Sequence, residues 1–153
     1  MRSLAIDDEF VALSKMVAML EPFGQCDAAT SGQQALDLFC KALKEASPYR
    51  LVTIDINLPD TNGIMLLGRL QREERRCEAP RARKLVVTAE STTSNVLAAL
   101  TGECDGFLAK PVRRAVLLEK LAALSLLTEN VARTEAGESP DERSPRSAAD
   151  GRA

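Results

Sequence analysis

Acidic, hydroxyl and amine side chains end four of the apolar segments in this chain. Asp55 follows a short run of apolar and β-branched residues and leads into a turn rich in Pro, Asn and Gly. Asp7 and Asp8 end an earlier segment, Thr88 ends a third and Lys110 ends a fourth. Open α/β sheets bind their ligands at the carboxyl ends of the strands. We therefore expect these five side chains to meet at one site.

The chemistry of such a site follows from its charges. Three clustered carboxylates repel one another and raise each other's pKa unless a cation lies between them. Ligation by oxygen alone favours a hard divalent ion such as Mg²⁺, which proteins hold with one or two carboxylates, water and phosphate oxygens. An ionised Asp beside this ion can attack phosphorus and form an acyl phosphate. Lys110 and Thr88 would then contact the phosphoryl oxygens, and phosphoryl transfer needs little more than such positioning and charge stabilisation.

The composition removes several other functions. Histidine is absent, which excludes Ser-His-Asp and Cys-His nucleophiles, histidine-ligated metals and a phosphohistidine donor role. The formal net charge is −2 and aromatic residues make up only 3% of the chain. Direct binding to nucleic acid is therefore not expected, because both a basic surface and stacking platforms are lacking.

The cysteines and the apolar runs indicate a cytoplasmic protein. The four cysteines are scattered and form no CxxC pair, so we expect neither a disulfide framework nor a zinc site. Free thiols without a signal peptide are typical of a reducing compartment. No apolar run is long enough to span a membrane, and no membrane association is expected.

Strand and helix patterns alternate five times. Each predicted strand is short and apolar, and each is followed by a segment with helical spacing of apolar residues. This alternation predicts a doubly wound α/β domain with a parallel sheet, and right-handed crossovers place all strand ends on one rim. The predicted strands cover residues 4–6, 26–30, 51–55, 85–88 and 105–109, and the last two helices cover 91–100 and 112–127.

The charged residues after the third strand predict a solvated helix face. Arginines from Arg69 to Arg83 alternate with Glu73, Glu74 and Glu78, a pattern typical of an exposed surface rather than of a basic patch. The alternation of elements stops after residue 127. Residues 128–153 are rich in Ala, Glu, Arg, Ser and Pro and lack aromatics, so we predict a disordered polar tail behind a domain of residues 1–127.

Four motifs together resemble response-regulator receiver domains. The resemblance covers residues 1–127. It depends on all four motifs occurring together, in the order and at the spacing that receiver domains have. It implies a flavodoxin-like fold with a doubly wound, five-stranded parallel sheet, strand order 2-1-3-4-5 and five helices. The motifs are DD at 7–8, D at 55 before PDTNG at 59–63, TAE at 88–90 and FLAKP at 107–111.

The resemblance assigns a role to each acidic position. Asp55 corresponds to the phospho-accepting aspartate. Asp8 corresponds to a direct Mg²⁺ ligand, Asp7 to a ligand acting mainly through water, and the backbone carbonyl of Asn57 to the third protein ligand. Asn57 and Glu90 occupy the positions that tune autodephosphorylation, and both residue types resemble those of chemotaxis-type regulators.

The remaining motif residues correspond to the groups that bind the phosphoryl group and transmit its arrival. Thr88 and Lys110 match the pair that grips the phosphoryl oxygens. Phe107 matches the aromatic switch residue that turns inward when the Thr88 hydroxyl moves. Pro111 matches the proline that follows a cis peptide bond, which would direct Lys110 into the site.

Each of these residues also fits a structural role when taken alone. Asp7 and Asp8 are suited to the N-terminus of a helix that starts near Glu9, because acids are favoured there. Thr88 could satisfy backbone groups at a strand end. Phe107 could belong to the hydrophobic core.

The resemblance implies a stand-alone, single-domain receiver of the chemotaxis type, which acts as a phosphorylation-controlled switch of protein interactions. A histidine kinase or histidine phosphotransfer protein donates the phosphoryl group, and a downstream protein binds the face formed by the fourth helix (91–100), fifth strand (105–109) and fifth helix (112–127). The implied reactions are Mg²⁺-dependent self-phosphorylation and autodephosphorylation only, so the protein is not expected to be an enzyme with a separate substrate. The sequence leaves open whether phosphorylation drives homodimerisation.

Three alternatives remain from the sequence. The chain could be the receiver of a larger regulator whose output domain is missing, or a receiver fold that has become a constitutive interaction module. It could also be a Mg²⁺-dependent phosphohydrolase, since such enzymes place a nucleophilic Asp after a strand. They normally carry another acid two residues later, where this chain has Asn57.

Overall fold

Five parallel strands form one sheet in the order β2-β1-β3-β4-β5, in a computed structural model that describes residues 1–89 and 104–127. This arrangement confirms the predicted fold class and strand order. Strand β4 begins two residues earlier than predicted and so includes Lys84. The strands are β1 Ser3–Ile6, β2 Cys26–Ala29, β3 Leu51–Asp55, β4 Arg83–Thr88 and β5 Gly106–Ala109.

Helices connect the strands. The described helices are α1 Phe10–Leu20, a 3₁₀ turn Glu21–Phe23, α2 Gly32–Lys44, α3 Gly63–Arg76 and α4 Arg114–Ala123. Helix α4 is the predicted fifth helix and is shorter than expected. The predicted helix over 91–100 and the predicted tail over 128–153 lie outside the described residues. Among the described helices, none is both long and apolar enough to cross a membrane.

Local sequence explains where α2 and α3 begin. The Ser31 hydroxyl accepts a hydrogen bond from the Gln34 amide, and the Asn62 side chain accepts bonds from the amides of Ile64 and Met65. Such caps satisfy amide groups that have no partner inside the helix. Both helices therefore begin at defined positions directly beside the rim of the sheet.

The core has one layer on each face of the sheet. Alternate strand residues point to opposite faces, so Leu4 and Ile6 pack with α2 and α3, whereas Ala5 packs with α1 and α4. Strands β1 and β3 are buried along their whole length, as expected for parallel strands covered on both sides. Burying a Leu or Ile side chain contributes about 1.5–3 kcal/mol, and these two layers hold the strand ends in register.

The prediction of a solvated face at the end of α3 is wrong for one residue. Arg72, Arg75 and Arg76 are exposed, but Glu74 is only 5% exposed. Glu74 lies four residues after the buried Leu70, on the same helix face. Its carboxylate is buried because it pairs with Lys84, which the expected strand boundary had excluded.

Candidate functional site

The strand ends bring the predicted residues to one rim. Asp7 directly follows β1, Asp55 ends β3, Thr88 ends β4 and Lys110 directly follows β5. The four strands run parallel and in register, so that the last residues of neighbouring strands lie side by side.

Three carboxylates form a cluster at this rim. Asp7, Asp8 and Asp55 each offer an oxygen, and the three oxygens lie within 4.8 Å of one another. Asp7 and Asp55 are buried, whereas Asp8 is exposed. The Asp7 Oδ1 atom accepts a hydrogen bond of 2.9 Å from the Glu9 amide, which orients the Asp7 side chain. The arrangement agrees with the structural role considered for Asp7, and its Oδ2 atom lies 3.0 Å from the Lys110 ammonium.

Lys110 supplies the positive charge. Its ammonium nitrogen lies 3.0 Å from Asp7 Oδ2, 3.4 Å from Asp55 Oδ2 and 3.9 Å from Glu9 Oε1. Partial burial disfavours the charged form, but the hydrogen bond to Asp7 and the charge of Asp55 outweigh it and raise the pKa of Lys110. The peptide bond between Lys110 and Pro111 is cis.

The cluster holds more negative charge than Lys110 balances. Burial, and then repulsion from Asp7, raise the pKa of Asp55 to about 6, although Lys110 acts in the opposite direction. A cation that binds all three carboxylates would remove this penalty. The donor set consists of oxygens only, which fits Mg²⁺ better than a softer metal. The described residues therefore fit the predicted magnesium site.

The loop between β3 and α3, residues 56–62, forms one wall of the site. The Gly63 amide donates a 2.6 Å hydrogen bond to the Ile56 carbonyl, and a β-bridge joins Asn57 to Asn62. A Cβ on Gly63 would lie 2.5 Å from the Asp55 carbonyl oxygen, so only glycine allows this close approach. The cleft at the site has a volume of about 320 Å³ and is lined by Asp8, Glu9, Asp55, Ile56, Asn57, Ala89 and Lys110.

The predicted switch residues, Thr88 and Phe107, contact the backbone and the hydrophobic core, respectively. Thr88 is buried, and its hydroxyl donates a 2.8 Å hydrogen bond to the Ala89 carbonyl. Phe107 is partly buried and packs against the core layer that contains α2 and α3. In this conformation both residues have the structural roles that the sequence also allowed. Glu90, the second predicted tuning residue, lies outside the described residues.

A family model described as the response regulator receiver domain matches residues 4–122. The chain belongs to the response-regulator receiver family. Its sequence is 30% identical over 121 residues to the regulatory protein VanRB of Enterococcus faecalis, covering 79% of this chain and 50% of VanRB. It is 27% identical over 125 residues to the transcriptional regulatory protein BasR of Escherichia coli, covering 81% of this chain and 52% of BasR. The receiver domain thus spans about half the length of these regulators.

A third relative, the hybrid signal transduction histidine kinase L of Dictyostelium discoideum, is 26% identical over 117 residues. That match covers 76% of this chain and 7% of the kinase. Receiver domains related to this chain thus occur both in transcriptional regulators and in a histidine kinase.

Solved structures have the same receiver fold. A CheY-like receiver domain protein from Methanospirillum hungatei is 25% identical, with a TM-score of 0.65 over 88% of this chain and 97% of that chain. The receiver domain of the histidine kinase CKI1 from Arabidopsis thaliana is 18% identical, with a TM-score of 0.67 over 82% and 88% of the two chains. The CKI1 structure is a complex with Mg²⁺ and BeF₃⁻.

Sequence reasoning missed one contact of the receiver site. Asp60, interpreted as part of the turn, accepts hydrogen bonds from the first amides of α2. Ser31-Gly32 indicates a helix start, where a carboxylate is favoured, but nothing in the sequence identifies Asp60 as the acid that lies there. No local pattern links two segments that lie 28 residues apart.

Proposed function

We propose that this receiver domain accepts a phosphoryl group on Asp55 from a histidine kinase or a histidine phosphotransfer protein. The proposal depends on one observation above all. The Asp55 carboxylate lies at the centre of a rim site, with two further carboxylates within 4.8 Å and the Lys110 ammonium 3.4 Å away. An acceptor carboxylate needs this environment, in which positive charge is available for the phosphoryl oxygens.

Magnesium completes the proposed site. Asp8 and Asp55 would ligate it directly through carboxylate oxygens, Asp7 mainly through water, and Asn57 through its backbone carbonyl. When bound, Mg²⁺ supplies charge neutralisation for the carboxylates and for the phosphoryl oxygens. Bound Mg²⁺ would also lower the pKa of Asp55, which burial and then repulsion from Asp7 raise to about 6.

The transfer step uses Asp55 as the nucleophile. A carboxylate oxygen of Asp55 forms a bond to phosphorus while the bond between phosphorus and the donor's imidazole nitrogen breaks, and the imidazole retains the electron pair. Lys110 exchanges part of its contact with Asp55 for a contact with a phosphoryl oxygen. The product is an acyl phosphate on Asp55, and transfer to water returns the free carboxylate.

Thr88 and Phe107 would convert the new charge into a change of surface. The Thr88 hydroxyl has to leave its bond to the Ala89 carbonyl in order to reach a phosphoryl oxygen. That movement would vacate space near β5, which carries the partly buried Phe107. A local charge would thereby bias a two-state element, and the downstream protein would bind the face that includes β5 and α4.

The surface around the rim suits a protein donor. Phe10 is 81% exposed, and Val11 and Met65 are each 64% exposed. These apolar side chains lie in the first turns of α1 and α3, directly after the segments that carry the site residues. A donor protein that transfers a phosphoryl group to Asp55 has to cover this surface. The exposed apolar side chains at the rim would then contribute to binding of the donor protein.

Intact-mass measurement tests the proposal. Wild-type protein and an Asp55→Asn variant are incubated with acetyl phosphate and Mg²⁺, and each is repeated with a chelator. We expect one phosphoryl addition on the wild type with Mg²⁺ and none on the variant. An equal addition to both proteins would place the modification on another residue. No addition to folded wild type, either from acetyl phosphate or from a panel of phosphorylated histidine kinases, would contradict the proposal.

A further inference from the structure

The tip of the loop that precedes α3 is attached to the start of α2. The Asp60 Oδ1 atom accepts a 2.8 Å hydrogen bond from the Gly32 amide, and Oδ2 accepts a 2.9 Å bond from the Gln33 amide. A Cβ on Gly32 would collide with the Thr61 methyl group and would lie 3.3 Å from Asp60 Oδ1. We call these four residues the loop–α2 clasp.

The loop–α2 clasp lies at the surface, but its hydrogen bonds and the charge of Asp60 favour each other. Hydrogen bonds from the Gly32 and Gln33 amides hold the pKa of Asp60 below its usual value, so the side chain stays ionised. The positive end of the α2 dipole favours a carboxylate at this place. Because each oxygen has its own amide, the two charge-assisted bonds fix the direction as well as the position of Asp60.

The same loop carries a backbone group of the metal site. Its base is fixed by the bond from Gly63 to Ile56 and by the bridge from Asn57 to Asn62. Residues 58–61 form the tip of the loop beyond this bridge, and Asp60 attaches the tip to the start of α2. Asn57 is itself a partner in this bridge and lies three residues before Asp60, so the backbone that carries its carbonyl is fixed on one side by the bridge and on the other by the loop–α2 clasp.

We propose that Asp60 is a positioning residue for the magnesium site: the loop–α2 clasp holds the Asn57 carbonyl in the direction that metal binding requires. This inference rests on the proposed function, in which that carbonyl is a ligand. Asp60 itself does not ligate the metal. Its contribution is to reduce the number of loop conformations in which the carbonyl points away from the three carboxylates.

Ser31 provides a matched control. Its hydroxyl caps the same end of α2 through a 3.1 Å bond from the Gln34 amide. Ser31→Ala therefore removes a cap from α2 while the hydrogen bonds that Asp60 accepts from the Gly32 and Gln33 amides remain. A purely stabilising role for Asp60 predicts that Asp60→Ala and Ser31→Ala behave alike, whereas a positioning role predicts that only Asp60→Ala weakens metal binding.

The experiment is a Mg²⁺ titration of the full chain by isothermal titration calorimetry, with thermal unfolding recorded for each protein. Outer partners of metal ligands contribute about 10–100-fold to affinity, and for a backbone ligand we expect the lower limit. Asp60→Ala should therefore raise the Kd for Mg²⁺ about tenfold. Ser31→Ala should lower the Tm but change the Kd by less than about twofold.

Asp60→Asn is the second variant and keeps the test valid if Asp60→Ala unfolds. It retains one acceptor oxygen, so the Kd should lie between those of the wild type and Asp60→Ala. Equal Kd values for wild type and both Asp60 variants would overturn the inference alone. An equal loss of affinity in Ser31→Ala would do the same. Folded wild type that fails to bind Mg²⁺ would overturn the proposed function and this inference with it.

Discussion

Two clusters of buried charge in this domain differ in their balance. At the rim, the buried Asp7 and Asp55 both contact Lys110, and the exposed Asp8 lies beside them. Between α3 and β4, Glu74 and Lys84 form a pair in which one carboxylate meets one ammonium at 2.8 Å. The rim cluster faces a cleft, whereas the pair lies inside the protein, where Lys84 has no exposed surface.

The pair is complete without a ligand. The second oxygen of Glu74 accepts a 2.6 Å bond from the Ala82 amide, and Lys84 also donates a 3.0 Å bond to the Ala82 carbonyl. Burial lowers the pKa of Lys84, and the contact with Glu74 opposes this effect. These contacts tie the end of α3 to the start of β4. A buried pair of this kind is a structural feature, and the pair has no charge left to bind a ligand.

The rim cluster is incomplete. Burial, and then repulsion from Asp7, raise the pKa of Asp55 to about 6, so the protein does not fully compensate this carboxylate when it is ionised. The unbalanced charge at the rim therefore indicates a ligand site, whereas the balanced pair between α3 and β4 has a structural role. Replacing a carboxylate by an amide should therefore have opposite effects on stability at the two places.

The largest change in stability is expected from Glu74→Gln. Removing one partner of a buried pair leaves the other charge uncompensated, which costs about 3–5 kcal/mol. Urea unfolding at neutral pH would measure this loss in the free energy of unfolding. The double variant Glu74→Leu with Lys84→Met should recover most of it, because both charges are then gone. A loss below about 1 kcal/mol for Glu74→Gln, typical of exposed pairs, would show that the pair is not buried in solution.

The next largest effect is expected on phosphorylation rather than on stability. Lys110→Ala removes the cation beside Asp55, and loss of one such charge-stabilising group costs about 10²-fold in rate. The rate of acetyl phosphate-dependent modification would be followed by intact mass. Lys41→Ala is the control, because Lys41 is 68% exposed and forms only a surface contact with Glu45 on α2. Equal rates for both variants would show that Lys110 is dispensable for the transfer.

Asp55→Asn should stabilise the metal-free protein at neutral pH. The folded-state pKa of Asp55 is about 6, above the value of 3.8 for an unperturbed Asp, so the folded state binds this proton more tightly than the unfolded state. Its contribution to stability is full below the unfolded pKa and is lost as pH rises through 6. At pH 7 the variant should gain about 1–3 kcal/mol.

Chemical unfolding with a chelator at several pH values would measure this gain. The difference between wild type and Asp55→Asn should shrink as pH falls below 6, because Asp55 is then protonated in the folded wild type. Asp37→Asn is the control at an exposed position on α2 and should change stability by less than about 0.5 kcal/mol. Destabilisation by Asp55→Asn at pH 7 would contradict the view that the rim is unbalanced.

The sequence predicts the rim better than the pair, for a physical reason. The rim residues end apolar strands, so the strand pattern alone brings Asp7, Asp55 and Lys110 together. The pair depends on packing, since Glu74 lies among arginines and Lys84 precedes the apolar run of β4. Helical spacing from Leu70 places Glu74 on the buried face, but only the tertiary contact shows why burial is tolerated. The loop–α2 clasp was not predicted for the same reason, because it joins segments that are distant in sequence.

The smallest expected effect is the gain in stability on Mg²⁺ binding, which should depend on the rim cluster and not on the buried pair. Mg²⁺ at about ten times its Kd should stabilise the wild type by about 1.4 kcal/mol, because it binds the folded state only. Glu74→Gln should gain the same increment, since distant sites contribute independently. Asp55→Asn should gain less, because it lacks one carboxylate ligand. Thermal unfolding with and without Mg²⁺ would measure all three. A smaller increment in Glu74→Gln would mean that the pair supports the rim through β4, and the two clusters would then be parts of one coupled system.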